Sequence, residues 1–228
     1  MDKSTKKTDL SFLEKIILLA LDDKGWFGNS EHKIKFGLAG AILFELIRKG
    51  RIELKDNIVH VLNSKPIDDI VLDKVFNLIK SSKKERNLRS WIQRIVYKKM
   101  MLRKSLLKGL VDKKVIRREE YTLLMVFYQN KYPVLNTELK KKIQEDLCEK
   151  ITSEKAMTDH DLMLLSIMNT CKMVRKNFGG FLQYLKLRSR INLITQFPET
   201  GSDSEKLIKQ VQTAIARAIM ASNVSIHA

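Results

Sequence analysis

Between Lys83 and Arg118 the chain carries 14 lysines and arginines against 2 acids, Glu85 and Asp112, a local charge of +12. Clustered ammonium and guanidinium groups bind anions without further help. This stretch supplies most of a net charge of +17 in under a sixth of the 228 residues. Solvated helices usually mix signs, so the bias points to nucleic acid, an acidic membrane surface or an anionic metabolite, with general solubility as the plain alternative. Read as one helix, Leu88 to Leu110 places Leu88, Trp91, Ile92, Ile95, Leu102, Leu106 and Leu110 on one face. Lys99 falls inside that face and Arg103 at its edge. A lysine on an apolar stripe must snorkel or meet an anion, unless the helix breaks between Tyr97 and Met101 and turns it into water. Trp26 and Phe27, in a loop with Gly25 and Gly28, either cover a ligand or plug the core under that loop.

Other chemistries find no support. There is no Gly-rich phosphate loop, HExxH or GxSxG pattern. His32, His60, His160 and His227 are scattered. Asp159, His160 and Asp161 adjoin but diverge around a helix, where acids at the N-terminus suit its dipole. No catalytic set, metal site or cofactor is expected. Cys148 and Cys171 are the only cysteines and sit far apart, which argues for a reducing compartment without a disulfide framework. Neither a signal peptide nor a membrane span is legible, so membrane contact would be peripheral.

The elements that must position these residues centre on Phe36 to Leu62. From Phe36 to Ile47 the only charge is Glu45, and apolar side chains fall on every side of a helix. Such a helix belongs in the middle of a core. Gly37 and Gly40 allow a neighbouring backbone to come close, and Gly50 is a natural stop. Arg51 to Leu54 and Ile58 to Leu62 read as strands around Lys55-Asp56-Asn57. Ser11 and Glu14 form a capping box for a helix from Phe12 to Leu21. Further helices are expected over Ile70 to Lys80, Leu88 to Lys113, Asn136 or Thr137 to Ile151, Asp159 to Lys176, Phe181 to Ile194 and Ser204 to Met220.

An internal repeat is present. LIRKGRIELKDNIVHVL from Leu46 is echoed by LVDKKVIRREEYTLLMVF from Leu110: helix end, basic turn, short strand, charged turn, apolar strand. Tyr121 to Tyr128 is then one uncharged strand, with a loop from Tyr128 to Val134. The fold class is mainly α: a single compact helical domain around a buried central helix, with two short β-hairpins. The expected boundaries are a tail at 1–8, the domain at 9–222 and a tail at 223–228.

The chain resembles the Golgi phosphoprotein 3 family. The resemblance rests on SFLEKIILLALDDKG, GLAGAILFELIRKGRIEL, VLD at Val71 to Asp73, Trp91, LVDKKVI, and HDLMLLSIMNTCKMVRKNF from His160. It spans Asp9 to Ala221 in order, and shortness suggests a bacterial or otherwise divergent member. It implies a non-enzymatic adaptor, peripheral on the cytosolic face of a membrane. Such an adaptor binds anionic phospholipid headgroups, phosphatidylinositol 4-phosphate among them, and the tails of membrane proteins. The family's headgroup residues, a Trp and three Arg, fall at about Ser30, Ala39, Met100 and Arg103; only Arg103 matches, and Trp26 lies nearby. A segment of about ten residues that separates the family's Trp helix from the Arg pair is missing. Lys98, Lys99, Lys33 and Lys35 offer replacement charge around Arg103 and Trp26. The family also implies membrane insertion and self-association through the second hairpin, here Leu124, Met125, Val126 and Phe127. The competing reading is a nucleic-acid-binding protein with winged-helix-like units, although Phe36 to Ile47 has no polar face for a groove.

Leu43, at the middle of the central helix, should be fully enclosed. Leu43→Ala is expected to lower unfolding free energy by about 2–5 kcal/mol in chemical denaturation.

Overall fold

The first helix begins where the sequence marks it. The Ser11 hydroxyl accepts from the Glu14 amide at 3.2 Å, and the Glu14 carboxylate accepts from the Ser11 amide at 2.8 Å. This is the reciprocal capping box. The computed structural model describes residues 8–98, 102–123, 127–153, 155–179, 181–197 and 200–224. The helices are α1 (Phe12–Ala20), α2 (Glu31–Arg48), α3 (Ile70–Lys80), α4 (Leu88–Tyr97), α5 (Leu102–Asp112), α6 (Thr137–Ser153), α7 (Asp159–Thr170), α8 (Val174–Asn177), α9 (Phe181–Ile194) and α10 (Asp203–Val224). Two antiparallel hairpins interrupt them: β1 (Ile52–Lys55) with β2 (Ile58–Val61), and β3 (Glu119–Leu123) with β4 (Phe127–Lys131). Among the described residues no helix is long and apolar enough to cross a membrane.

The central helix is α2, which starts five residues earlier than the apolar run. Every residue from Phe36 to Phe44 is buried, Leu43 with no exposure at all. Helices α1, α3, α4, α7 and α10 pack around it. Its two glycines are filled by side chains, not by a neighbouring backbone. A Cβ on Gly37 would lie 2.8 Å from Cys171 Sγ, and one on Gly40 would lie 2.5 Å from Ile215 Cδ1. Glu45, the lone charge of the apolar run, meets His160 Nε2 at 2.6 Å. Buried Glu14 is likewise met by Lys113 at 2.6 Å.

The repeat is real at the level of backbone geometry. At the end of α2 the Arg51 amide donates to the Leu46 carbonyl and the Gly50 amide to Ile47, both at 2.9 Å, with Gly50 at φ +59°. This is a Schellman stop. At the end of α5 the Val115 amide donates to Leu110 and the Lys114 amide to Val111, again at 2.9 Å. There Lys114 occupies the left-handed position, at φ +57°. The first hairpin turns through Asp56 and Asn57, both at positive φ, as a two-residue type I′ turn requires.

Three expectations are corrected. The helix expected from Leu88 to Lys113 is two helices: Lys98 caps α4, and α5 restarts at Leu102. Splitting it lets Trp91, Ile92 and Ile95 face the core separately from Leu102, Leu106 and Leu110. The helix expected from Asp159 to Lys176 stops at Thr170 and turns through Lys172 at φ +60° before α8. In the second hairpin the charged run Arg117 to Glu120 is not the turn. Glu119 sits opposite Lys131 and their side chains pair at 2.7 Å, while Arg118 Nε donates to Asn130 Oδ1 at 2.8 Å. Tyr121 to Tyr128 is therefore not one strand, and β4 takes up most of the expected loop.

A Cβ on Gly50 meets nothing within 4 Å, so Gly50→Ala tests conformation alone. It should cost about 1 kcal/mol, the strain of a left-handed residue with a side chain. Lys114→Gly should stabilise the chain by up to about 1 kcal/mol for the same reason. Denaturant midpoints of the two variants should move in opposite directions.

Candidate functional site

The loop after α1 is fixed at both ends. Asp22 Oδ1 accepts from the Trp26 amide at 2.9 Å, and the Asp22 amide donates to the Trp26 carbonyl at 2.8 Å. Gly25, at φ +90°, accepts from the Tyr132 amide at 3.1 Å, and Asp23 accepts from the Val134 amide at 3.3 Å. A Cβ on Gly25 would fall 2.2 Å from the Tyr132 carbonyl carbon, so the loop lies directly on the chain leaving β4. Trp26 is half-buried and meets Tyr121 of β3 edge to face, with centroids 5.7 Å apart. Phe27 is buried. Phe27 thus plugs the core under the loop, while Trp26 stays partly open. Arg103, in the first turn of α5, places its guanidinium over the Phe27 ring at 4.9 Å and pairs with Glu31 at 3.2 Å.

Two lysines bond to the backbone of this loop and of the end of α1. Lys140 is 5% exposed; its ammonium donates to the Leu21 carbonyl at 2.9 Å and to Asp23 at 2.7 Å. The Lys176 ammonium donates to the carbonyls of Ala20 and Phe27 and, at 2.8 Å, to Ser30 Oγ. Two of the accepting carbonyls, Ala20 and Leu21, lie at the end of α1, where the helix dipole favours cations. Burial, and then the Lys140 charge, hold the Lys176 amine down to about 8. The run Lys140 to Lys142 hides the signal in sequence. Lys140, Leu147 and Ile151 recur at helical spacing, and all three are buried.

The expected residues come together only in part. Trp26 and Arg103 share one neighbourhood through Phe27. Lys35 lies one turn beyond Glu31 on the same side of α2, exposed, with its ammonium 5.3 Å from the Phe36 ring. Lys33 projects elsewhere, about 200° around α2 from Glu31, and its charge acts on Cys171 and His32. Lys98 is exposed at the end of α4. Lys99 and Met100 lie outside the described residues, as do Leu124, Met125 and Val126. Phe127 opens β4 opposite Leu123.

Residues 13–221 match the sequence model of the family described as Golgi phosphoprotein 3, GPP34. The chain belongs to the Golgi phosphoprotein 3 family. It is similar to vacuolar protein sorting-associated protein 74 of Schizosaccharomyces pombe, with 28% identity over 170 residues, 65% of this chain and 50% of the relative. The protein of the same description from Eremothecium gossypii is 27% identical over 164 residues, 62% of this chain and 49% of the relative. The chain thus spans about half the length of the curated relatives it matches.

Two of the positions that the family resemblance singles out are closed here. Ala39 has no exposure, so an arginine in its place would bury its charge in the core. Ser30 is 2% exposed; its hydroxyl donates to the Phe27 carbonyl at 2.7 Å and accepts from Lys176. Where the resemblance places the family's Trp, this chain has a serine bonded to the Lys176 ammonium.

The unfolded chain keeps the Lys176 proton to its ordinary 10.5, whereas the folded chain releases it near 8. The folded state therefore binds fewer protons between these values, and this group's share of stability rises with pH across that window. Urea denaturation of wild type and Lys176→Met near pH 7.5 and near pH 10 should show wild type gaining on the variant at the higher pH.

Proposed function

We propose that this chain is a peripheral adaptor, not an enzyme, that docks on anionic phospholipid headgroups at the cytosolic face of a membrane. The Golgi is the setting that its family suggests. One observation carries the reading: Arg103, Phe27, Trp26 and Tyr121 form a continuous contact from the basic helix to the second hairpin. The connection between the strands of that hairpin is Leu-Met-Val, wholly apolar in sequence. Guanidinium and lysine groups would hold headgroup phosphates while Leu124, Met125, Val126 and Phe127 entered the acyl boundary, so two weak attractions would add. With Ala39 and Ser30 closed to the family's Arg and Trp, Arg103 with Lys35, Lys98 and Lys99 would read negative charge more than the phosphatidylinositol 4-phosphate headgroup itself. The tails of membrane proteins are the proposed cargo, and copies of the chain are proposed to associate through the same hairpin.

The nucleic-acid reading is weaker. In the first winged-helix-like unit, α2 is buried from Phe36 through Phe44 and offers no face to a groove.

Glu31 competes with any phosphate for Arg103, in a pair exposed on both sides. Such a pair is worth about 0–1 kcal/mol. Glu31→Gln should therefore tighten binding to anionic liposomes by up to roughly fivefold, and Arg103→Ala should weaken it and flatten its salt dependence. Flotation with phosphatidylserine and with phosphatidylinositol 4-phosphate at equal surface charge, beside a DNA mobility assay, tests all three readings. Equal binding of Arg103→Ala and wild type at low salt overturns the proposed site.

A further inference from the structure

At the opposite end of α1 and α2 from the aromatic loop lies a cleft of about 830 Å³, within the roughly 300–1,000 Å³ of small-molecule sites. From Glu31, beside Arg103, to Glu45, on the wall of this cleft, is about 20 Å along α2. The walls come from the first turn of α1, the end of α2, the chain entering α3, and the facing turns of α6 and α7.

The charges on these walls are unevenly matched. Four carboxylates are engaged. Glu45 meets His160 at 2.6 Å, Asp69 Oδ1 accepts from the Val71 and Leu72 amides, and Asp146 and Asp161 both hold Lys150. Asp68, exposed at the rim, has no partner among the described residues. The other cations are poorly answered. Among the described residues, the ammonium groups of Lys15 and Lys49 have neither a hydrogen bond nor an ion pair. Arg51 makes one long bond, 3.5 Å to the Pro66 carbonyl, and its Nε is enclosed without an acceptor. Lys15 is the least favourably placed. It is half-buried and one turn into α1, at the end where the helix dipole opposes a cation. Three under-bonded cations thus share one cleft with one free carboxylate, and a dianion would balance them.

We propose that this cleft binds a soluble phosphate monoester carrying an aromatic group. The phosphate oxygens accept charge-assisted hydrogen bonds from Lys15, Lys49 and Arg51. The positive end of α1, whose capping residue Ser11 lines the same wall, adds to the field. The ring lies on half-buried Phe12, which already meets the His160 ring with centroids 4.8 Å apart. That the molecule is soluble rests on the membrane reading above, which puts the bilayer at the Arg103 end of α2 and this cleft at the far end. The anion site itself does not depend on that reading.

Calorimetric titration of the full chain with phenyl phosphate should show one saturable site. Benzenesulfonate, a monoanion of similar shape, should bind at least tenfold more weakly. Lys15→Gln with Lys49→Gln breaks no described side-chain bond, so it should leave thermal unfolding unchanged and weaken phenyl phosphate at least tenfold. Asp68→Asn removes the free carboxylate and should tighten binding about threefold. Arg103→Ala should bind phenyl phosphate as wild type does, whatever happens to its liposome binding, so the two readings fail separately. Absence of saturation, equal binding of benzenesulfonate, full binding by the folded double variant, or loss of binding in Arg103→Ala overturns the proposal. Vesicles of phosphatidylcholine with phosphatidic acid provide the remaining arm. If they displace phenyl phosphate and bind the double variant less well, the phosphate belongs to a lipid and the soluble assignment is wrong.

Discussion

A helix with no polar face cannot sit at a surface, and the structure follows from burying one. Helix α2 needs neighbours on every side, and five helices supply them. Two glycines bring α7 and α10 closer than side chains would permit, since Cys171 and Ile215 occupy the space where a Cβ would stand. The one carboxylate in the run, Glu45, is answered by His160 from α7, so the wrapping helix also meets the electrostatic need of the wrapped one. Cys171, sealed in this contact, has its thiol pushed up to about 12 by burial and is chemically inert.

The same wrapping sets what reaches the surface. Because α2 is spent on the core, the groups of the proposed site come from its N-terminal turn, from α5, and from loops laid over the end of α1. The aromatic loop is the clearest case. Its backbone bonds to the chain leaving β4, its carbonyls accept hydrogen bonds from Lys140 and Lys176, and Arg103 covers Phe27. The loop, the basic helix and the second hairpin therefore act as one connected piece. Arg103 and the second hairpin are joined through Phe27, Trp26 and Tyr121. For a protein whose membrane affinity would rest on several weak attractions, rigid spacing between them matters more than the strength of any one.

What the sequence determined by itself was local. The cap at Ser11, the apolar run of α2 and the stop at Gly50 each depend on residues within one or two turns, and each stands where the pattern put it. The family was legible too, because its blocks keep their order along the chain. Tertiary structure decided what depends on distant partners. The turn of the second hairpin was misread because a charged run looks like a turn until Lys131 and Asn130, on the other strand, take up Glu119 and Arg118. The break after Tyr97 was one of two readings of the stripe, which runs in phase across it; only the packing of two separate helices decided for the break. At the candidate site, Trp26 and Arg103 were legible as an aromatic beside a basic helix. The bonds of Lys140 and Lys176 were not, because the carbonyls they meet lie more than a hundred residues away, and no local pattern records where a folded chain brings those carbonyls.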